Sequence, residues 1–148
     1  MIRGVPVGVR SVIADNLATL LNNTTVGANL HAFSNPFTPS PLSVLGDFTE
    51  CTFPGYAKKT ALAAFTKTYD SLSGSYRVYL PTQQVFTAGT LTATQTLAGV
   101  YITDSTDATL YGWQVFDTPY VMRQLNDGVI VDVELRVPID ALESNLPE

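Results

Sequence analysis

Between Val129 and Ile139 every second position is apolar. Val129, Val131, Val133, Leu135, Val137 and Ile139 alternate with Ile130, Asp132, Glu134, Arg136 and Pro138. This period of two places one apolar face inward and a mainly charged face outward, the pattern of a half-buried strand. Shorter β-rich runs precede it, each ended by turn residues. Strands are predicted over 30–34, 48–53, 76–80, 84–88, 96–103 and 110–116. Residues 61–69 read two ways, because their alanines permit helix while the alternation of Phe65, Lys67 and Tyr69 favours strand. The surrounding β context decides for strand. Asp104-Ser105-Thr106-Asp107 reads as a hairpin turn joining the last two short runs.

One segment departs from this pattern. Val9, Val12, Ile13, Leu17, Leu20 and Leu21 recur at three- and four-residue spacing, which predicts an amphipathic helix stopped by Asn22-Asn23 and Gly27. Pro6 and Gly8 argue against helix further upstream. The apolar face either covers an open side of the β domain or docks on a neighbouring subunit, and packing on its own domain is the simpler reading. Roughly eight short strands without long crossover helices point to a mainly β chain: a single antiparallel β-sandwich, jelly-roll-like, with one N-terminal amphipathic α-helix. The expected organisation is an N-terminal arm and helix over 1–28 and a sandwich over 29–148, forming one compact domain. A closed barrel has the same periodicity.

At 148 residues a chain buries roughly 70% of its unfolded surface, enough for a core without disulfides or structural metal. Charged residues make up only 14%, against about 25% in ordinary soluble domains. The net charge of -5 is uneven, since residues 100–148 hold nine acidic and two basic side chains. Nucleic acid needs a clustered basic surface and is an unfavoured partner. No apolar run reaches the ~20 residues of a membrane span.

Catalytic chemistry has little to draw on. His31 is the single histidine and Cys51 the single cysteine, too few for structural zinc. A Cys51–His31 dyad is conceivable, but no local context activates the thiol, and His31 reads as a hydrogen-bonded structural or surface residue. Asp104 to Asp107 lack the spacing and glycine of a calcium loop. Asp47 and Glu50 fix no acid–base geometry. The expectation is therefore no enzyme, no metal and no cofactor. Tyr101, Tyr111, Trp113, Phe116 and Tyr120 crowd the C-terminal half, where an outward subset would suit a protein interface or a sugar platform.

The run Leu30-His31-Ala32-Phe33-Ser34-Asn35-Pro36-Phe37-Thr38-Pro39-Ser40-Pro41, continued by Val44-Leu45-Gly46-Asp47-Phe48-Thr49-Glu50-Cys51-Thr52-Phe53-Pro54-Gly55-Tyr56-Ala57, resembles small tailed-bacteriophage virion structural proteins with the pattern LxLFxNxxTPTPxSVLxDFTEATFxGYA. Tyr111-Gly112-Trp113 and Phe116-Asp117-Thr118-Pro119 resemble the same set. Pro36 and Cys51 depart from the pattern. The resemblance implies a virion component made in the host cytoplasm, with a capsid decoration or cement subunit as the leading reading. Its partners would be the major capsid protein or other virion proteins, and copies of itself, as a homo-oligomer with a trimer as the first guess. A tail, baseplate or fibre component, able to bind host glycans, is the alternative.

The prolines carry their own physical argument. A Pro-rich loop is pre-organised and loses less entropy on docking. Pro36, Phe37, Pro39 and Pro41, together with Leu17, Leu20 and Leu21 of the helix, are the candidate interface residues.

Overall fold

In the computed structural model the described residues are 7–22, 27–72 and 74–137. They form one helix and nine strands, an antiparallel β-sandwich-like fold. The helix α1 (Val7–Leu21) begins one residue before Gly8, earlier than the sequence suggested. The strands are β1 (Ala28–Phe33), β2 (Lys59–Leu62), β3 (Thr66–Asp70), β4 (Ser75–Tyr79), β5 (Gln84–Thr87), β6 (Gln95–Asp104), β7 (Leu110–Met122), β8 (Gly128–Val131) and β9 (Glu134–Val137). They assemble as a four-stranded sheet in the order β2-β1-β6-β7, a three-stranded sheet β3-β4-β9 and a pair β5-β8. One core joins all three: Leu30, Val100 and Ile102 meet Val78, Leu80, Phe86, Val131 and Val133.

Several predicted elements are redrawn. Residues 61–69 are divided between two strands in different sheets, with Ala61 inside β2 and Ala64 between the strands both at positive φ. The alternating run from Val129 is likewise two strands, β8 paired with β5 and β9 paired with β4. Val131 and Val133 are both buried, so each half keeps its inward period across the break. Residues 48–53 form no strand beyond a single bridge between Phe33 and Glu50. The last short run extends to Met122 through a bulge. Leu97 pairs with Tyr120 and Gly99 with Val115, leaving residues 116–119 opposite Ala98 alone.

The buried face of the helix shares Leu17 and Leu21 with the predicted stripe but is turned away from Val12, Ile13 and Leu20. Ala14 and Leu21 are fully buried, with Leu17 and Ala18 packed beside them, while Val12, Ile13 and Leu20 face outward. It lies against β3, β4 and β9, and Lys67 bonds both Asp15 (2.7 Å) and Ser11 (2.9 Å). At its end Asn22 bonds both backbone groups of Phe65, at 2.8 and 2.6 Å. Gly27 (φ +62) then turns the chain into β1, and a Cβ there would meet the Ala61 backbone at 2.7 Å.

Candidate functional site

Strand β1 is buried on both faces, although the sheet has only one core side. The antiparallel register with β6 explains this. Asn29 stands beside Thr103, His31 beside Tyr101 and Phe33 beside Gly99, and all face away from the main core. The chain from Ser34 to Lys58 folds back to cover them. Phe33, Phe37, Phe48 and Tyr101 form an aromatic cluster with centroid distances of 4.7 to 6.3 Å. Gly99 makes room for it, because a Cβ there would sit 2.7 Å from the Phe33 ring.

The covering loop is held by its own polar side chains. Asn35 donates to the Asp47 carbonyl (2.8 Å) and accepts from the Thr49 N–H (2.7 Å). Asp47 accepts from the Val44 N–H (2.8 Å), and the Ser40 and Ser43 side chains close the turn between them. One turn of 3-10 helix (Leu45–Asp47) follows. At the tip of this braced loop Leu42 is 89% exposed and Val44 60%. Large apolar side chains offered to solvent on a constrained backbone are suited to contact with another protein.

Beneath the loop lies a buried polar network. His31 is almost fully enclosed and stacks on Tyr101 at 4.6 Å with the rings 4° apart. Its Nδ1 is 2.8 Å from Glu50 Oε1; its Nε2 is 3.0 Å from Asp107 Oδ1 and 3.1 Å from the Thr103 hydroxyl. A carboxylate only accepts, so a ring nitrogen bound to one of them is the donor of that bond. Asp107 also accepts from Asn29 (2.8 Å) and Thr103 (2.9 Å), and pairs with Lys58. Glu50 accepts from the Tyr56 hydroxyl (2.8 Å), which itself accepts from the Ala32 N–H. Desolvation pushes the Asp107 carboxyl up, but bonds from Asn29, Lys58 and Thr103 and the nearby His31 outweigh it and hold the group below the usual carboxylate range. Burial, aided by the bond to Glu50, raises the Tyr56 hydroxyl.

The turn that carries Asp107 divides its work. Asp104 accepts from the backbone N–H groups of Ala108 (2.8 Å) and Thr109 (3.0 Å) and so closes the hairpin. Asp107, at φ +58, turns its side chain inward to the network.

The Cys51–His31 dyad is not assembled. Both ring nitrogens face carboxylates, and burial, with Glu50 nearby, pushes the Cys51 thiol up to about 12. A thiol so placed behaves as a small apolar side chain. The network's chemistry is that of a clamp, in which one ring ties β1 to the end of the covering loop and to the β6–β7 turn.

Of the candidate interface residues, Pro36 and Pro41 are exposed and Pro39 is half-buried, whereas Phe37 turns inward to the aromatic cluster. Leu20 is exposed, Leu17 is packed on the core and Leu21 is fully buried by its own domain. Leu21 therefore has no surface to offer a partner. Leu42 and Val44 were missed, although two apolar residues among Ser, Pro and Gly carry a signal. Glu50 and Asp107 carried none, since they lie 19 and 76 residues from the histidine they bind.

No family model, curated protein or solved structure matches the chain.

Proposed function

We propose that this chain is a bacteriophage virion structural protein, a capsid decoration or cement subunit that acts by binding neighbouring virion proteins. The observation that carries the reading is the braced loop after β1, which presents Leu42 and Val44 to solvent. Burying one such leucine contributes about 1.5–3 kcal/mol, and a backbone held in place before docking spends little entropy. The resemblance of residues 30–57 to phage virion proteins falls on this same loop. The histidine clamp and the aromatic cluster then serve rigidity, fixing the loop's base to the sheet.

Two measurements test the proposal. Mass spectrometry of separated heads and tails is expected to find the chain with heads; recovery with tails instead supports the tail, baseplate or fibre reading. Leu42→Asp is expected to abolish binding of the purified chain to particles that lack it, while its circular dichroism stays that of wild type. Undiminished binding by a folded Leu42→Asp variant removes the loop from the proposal.

A further inference from the structure

A sheet edge exposes unpaired N–H and C=O groups, and folded chains guard such edges with charge, proline, a bulge, short length or a covering element. Most free edges here are guarded. Strand β2 is four residues long, carries Lys59 and is distorted at Ala61. Strand β3 carries Lys67 and Asp70 and is braced by α1. Strand β9 carries Glu134 and Arg136, and β5 and β8 are four residues each.

Strand β7 is different. It has 13 residues and stands at the edge of the four-stranded sheet. Its second half is guarded by the bulge over 116–119, with Asp117 and Pro119 inside it. Its first half, residues 110–116, has neither charge nor proline. The backbone direction follows from the register. Gln114 pairs with Val100, and its carbonyl lies against Gly99, so Gln114 faces β6. Its neighbours Trp113 and Val115 then point their N–H and C=O groups the other way, off the sheet. An open cleft of about 710 Å³, lined by Tyr111 to Gln114, by Asp132 and by Glu134 to Arg136, lies between β7 and β9. Among the described residues no strand pairs with β7 on its outer side, where a further strand would lie about 4.8 Å away.

We propose that β7 is a dimerisation edge, on which a second copy of this chain lays its own β7 antiparallel about a twofold axis at Trp113. Self-pairing suits this strand electrostatically. With Trp113 opposite its twin, Tyr111 meets Val115 and Gly112 meets Gln114, while Asp117 falls opposite Thr109, so no like charges face each other. The odd-numbered residues that point outward are the ones that bond across such an axis. The neighbouring rim carries Asp132, Glu134 and Arg136, both signs together, and bringing two copies close sets up no single-sign field. The two four-stranded sheets become one continuous sheet, an isologous contact that closes on itself.

The test is sedimentation velocity of the full chain, free of virion components, and its outcome is independent of the virion reading. At about 100 µM, above the dissociation constant of an ordinary specific interface, wild type is expected at twice the 16.0 kDa of one chain. Val115→Pro removes an outward N–H without touching the β6 ladder, and Val115→Lys keeps the backbone but adds the charge that guards natural edges. Each is expected to weaken association at least about tenfold with an unchanged far-ultraviolet spectrum. If the proline variant misfolds, the lysine variant decides. A monomeric wild type overturns the proposal, including the case where the edge takes a strand from a different protein. So does any oligomer that persists undiminished in the folded lysine variant.

Discussion

Replacing Asp107 by asparagine removes one charge from the histidine clamp at nearly constant volume. In the native chain four donors converge on this carboxylate, from Asn29, Thr103, His31 and Lys58. An asparagine keeps a single acceptor oxygen and turns an N–H₂ group toward one of them. Hydrogen bonds to a charged group contribute about 1.5–3 kcal/mol each, but the side chain is 33% exposed and solvent screening discounts the sum. The expected loss is about 2 kcal/mol, or about 4–8 °C in midpoint for a domain of this size.

The pH dependence follows from the depressed carboxyl. A group held below its ordinary value of 3.8 contributes stability that is fully present above that value and is lost as pH falls through the native titration. Thermal unfolding followed by circular dichroism at pH 7 is therefore expected to separate Asp107→Asn from wild type. The gap closes as both are taken below the ordinary carboxylate range. Equal midpoints at pH 7, or a gap that persists undiminished in acid, would refute the assignment of Asp107 as the anionic centre of the clamp.

Other perturbations have equally definite outcomes. Gly99→Ala drives a methyl group into the Phe33 ring and the Gln114 carbonyl, and urea unfolding is expected to show a loss of at least about 1–3 kcal/mol. Phe33→Ala, at a fully buried ring, is expected to cost about 3–5 kcal/mol by the same measurement. The Cys51 thiol, buried and raised to about 12, is expected to react with a colorimetric disulfide reagent at pH 8 only after denaturant is added; prompt labelling of the folded chain would place the thiol at the surface.

The β architecture was legible because period two and turn residues are local signals, and β1, β4, β5 and β6 fall close to their predicted places. The changes of sheet were not. From Val129 to Val137 the alternation continues through Asp132 and Val133, because both halves bury the same parity of side chain in one core. Nothing in the period marks where pairing passes from β5 to β4. In α1 apolar residues encircle much of the helix, so the largest ones defined the predicted stripe. The structure seats the small Ala14 and Ala18 on the sheet side beside Leu17 and Leu21, and leaves Val12, Ile13 and Leu20 outside. Of the structural and surface readings of His31 the structure bears out the buried, hydrogen-bonded one, yet its role as a hub depends on Glu50 and Asp107 arriving from distant loops. The sequence around Leu42 points to a pre-organised loop, but which of Leu42, Val44 and Leu45 stays exposed is set by how the loop folds back onto the aromatic cluster.

A density map of intact phage particles bears most directly on the proposed role. The account predicts the chain seated on the head, with residues 36–47 against a neighbouring virion protein and the Leu42 side chain buried in that contact. Particles without the chain, or a bound chain whose loop tip faces open solvent, would contradict it.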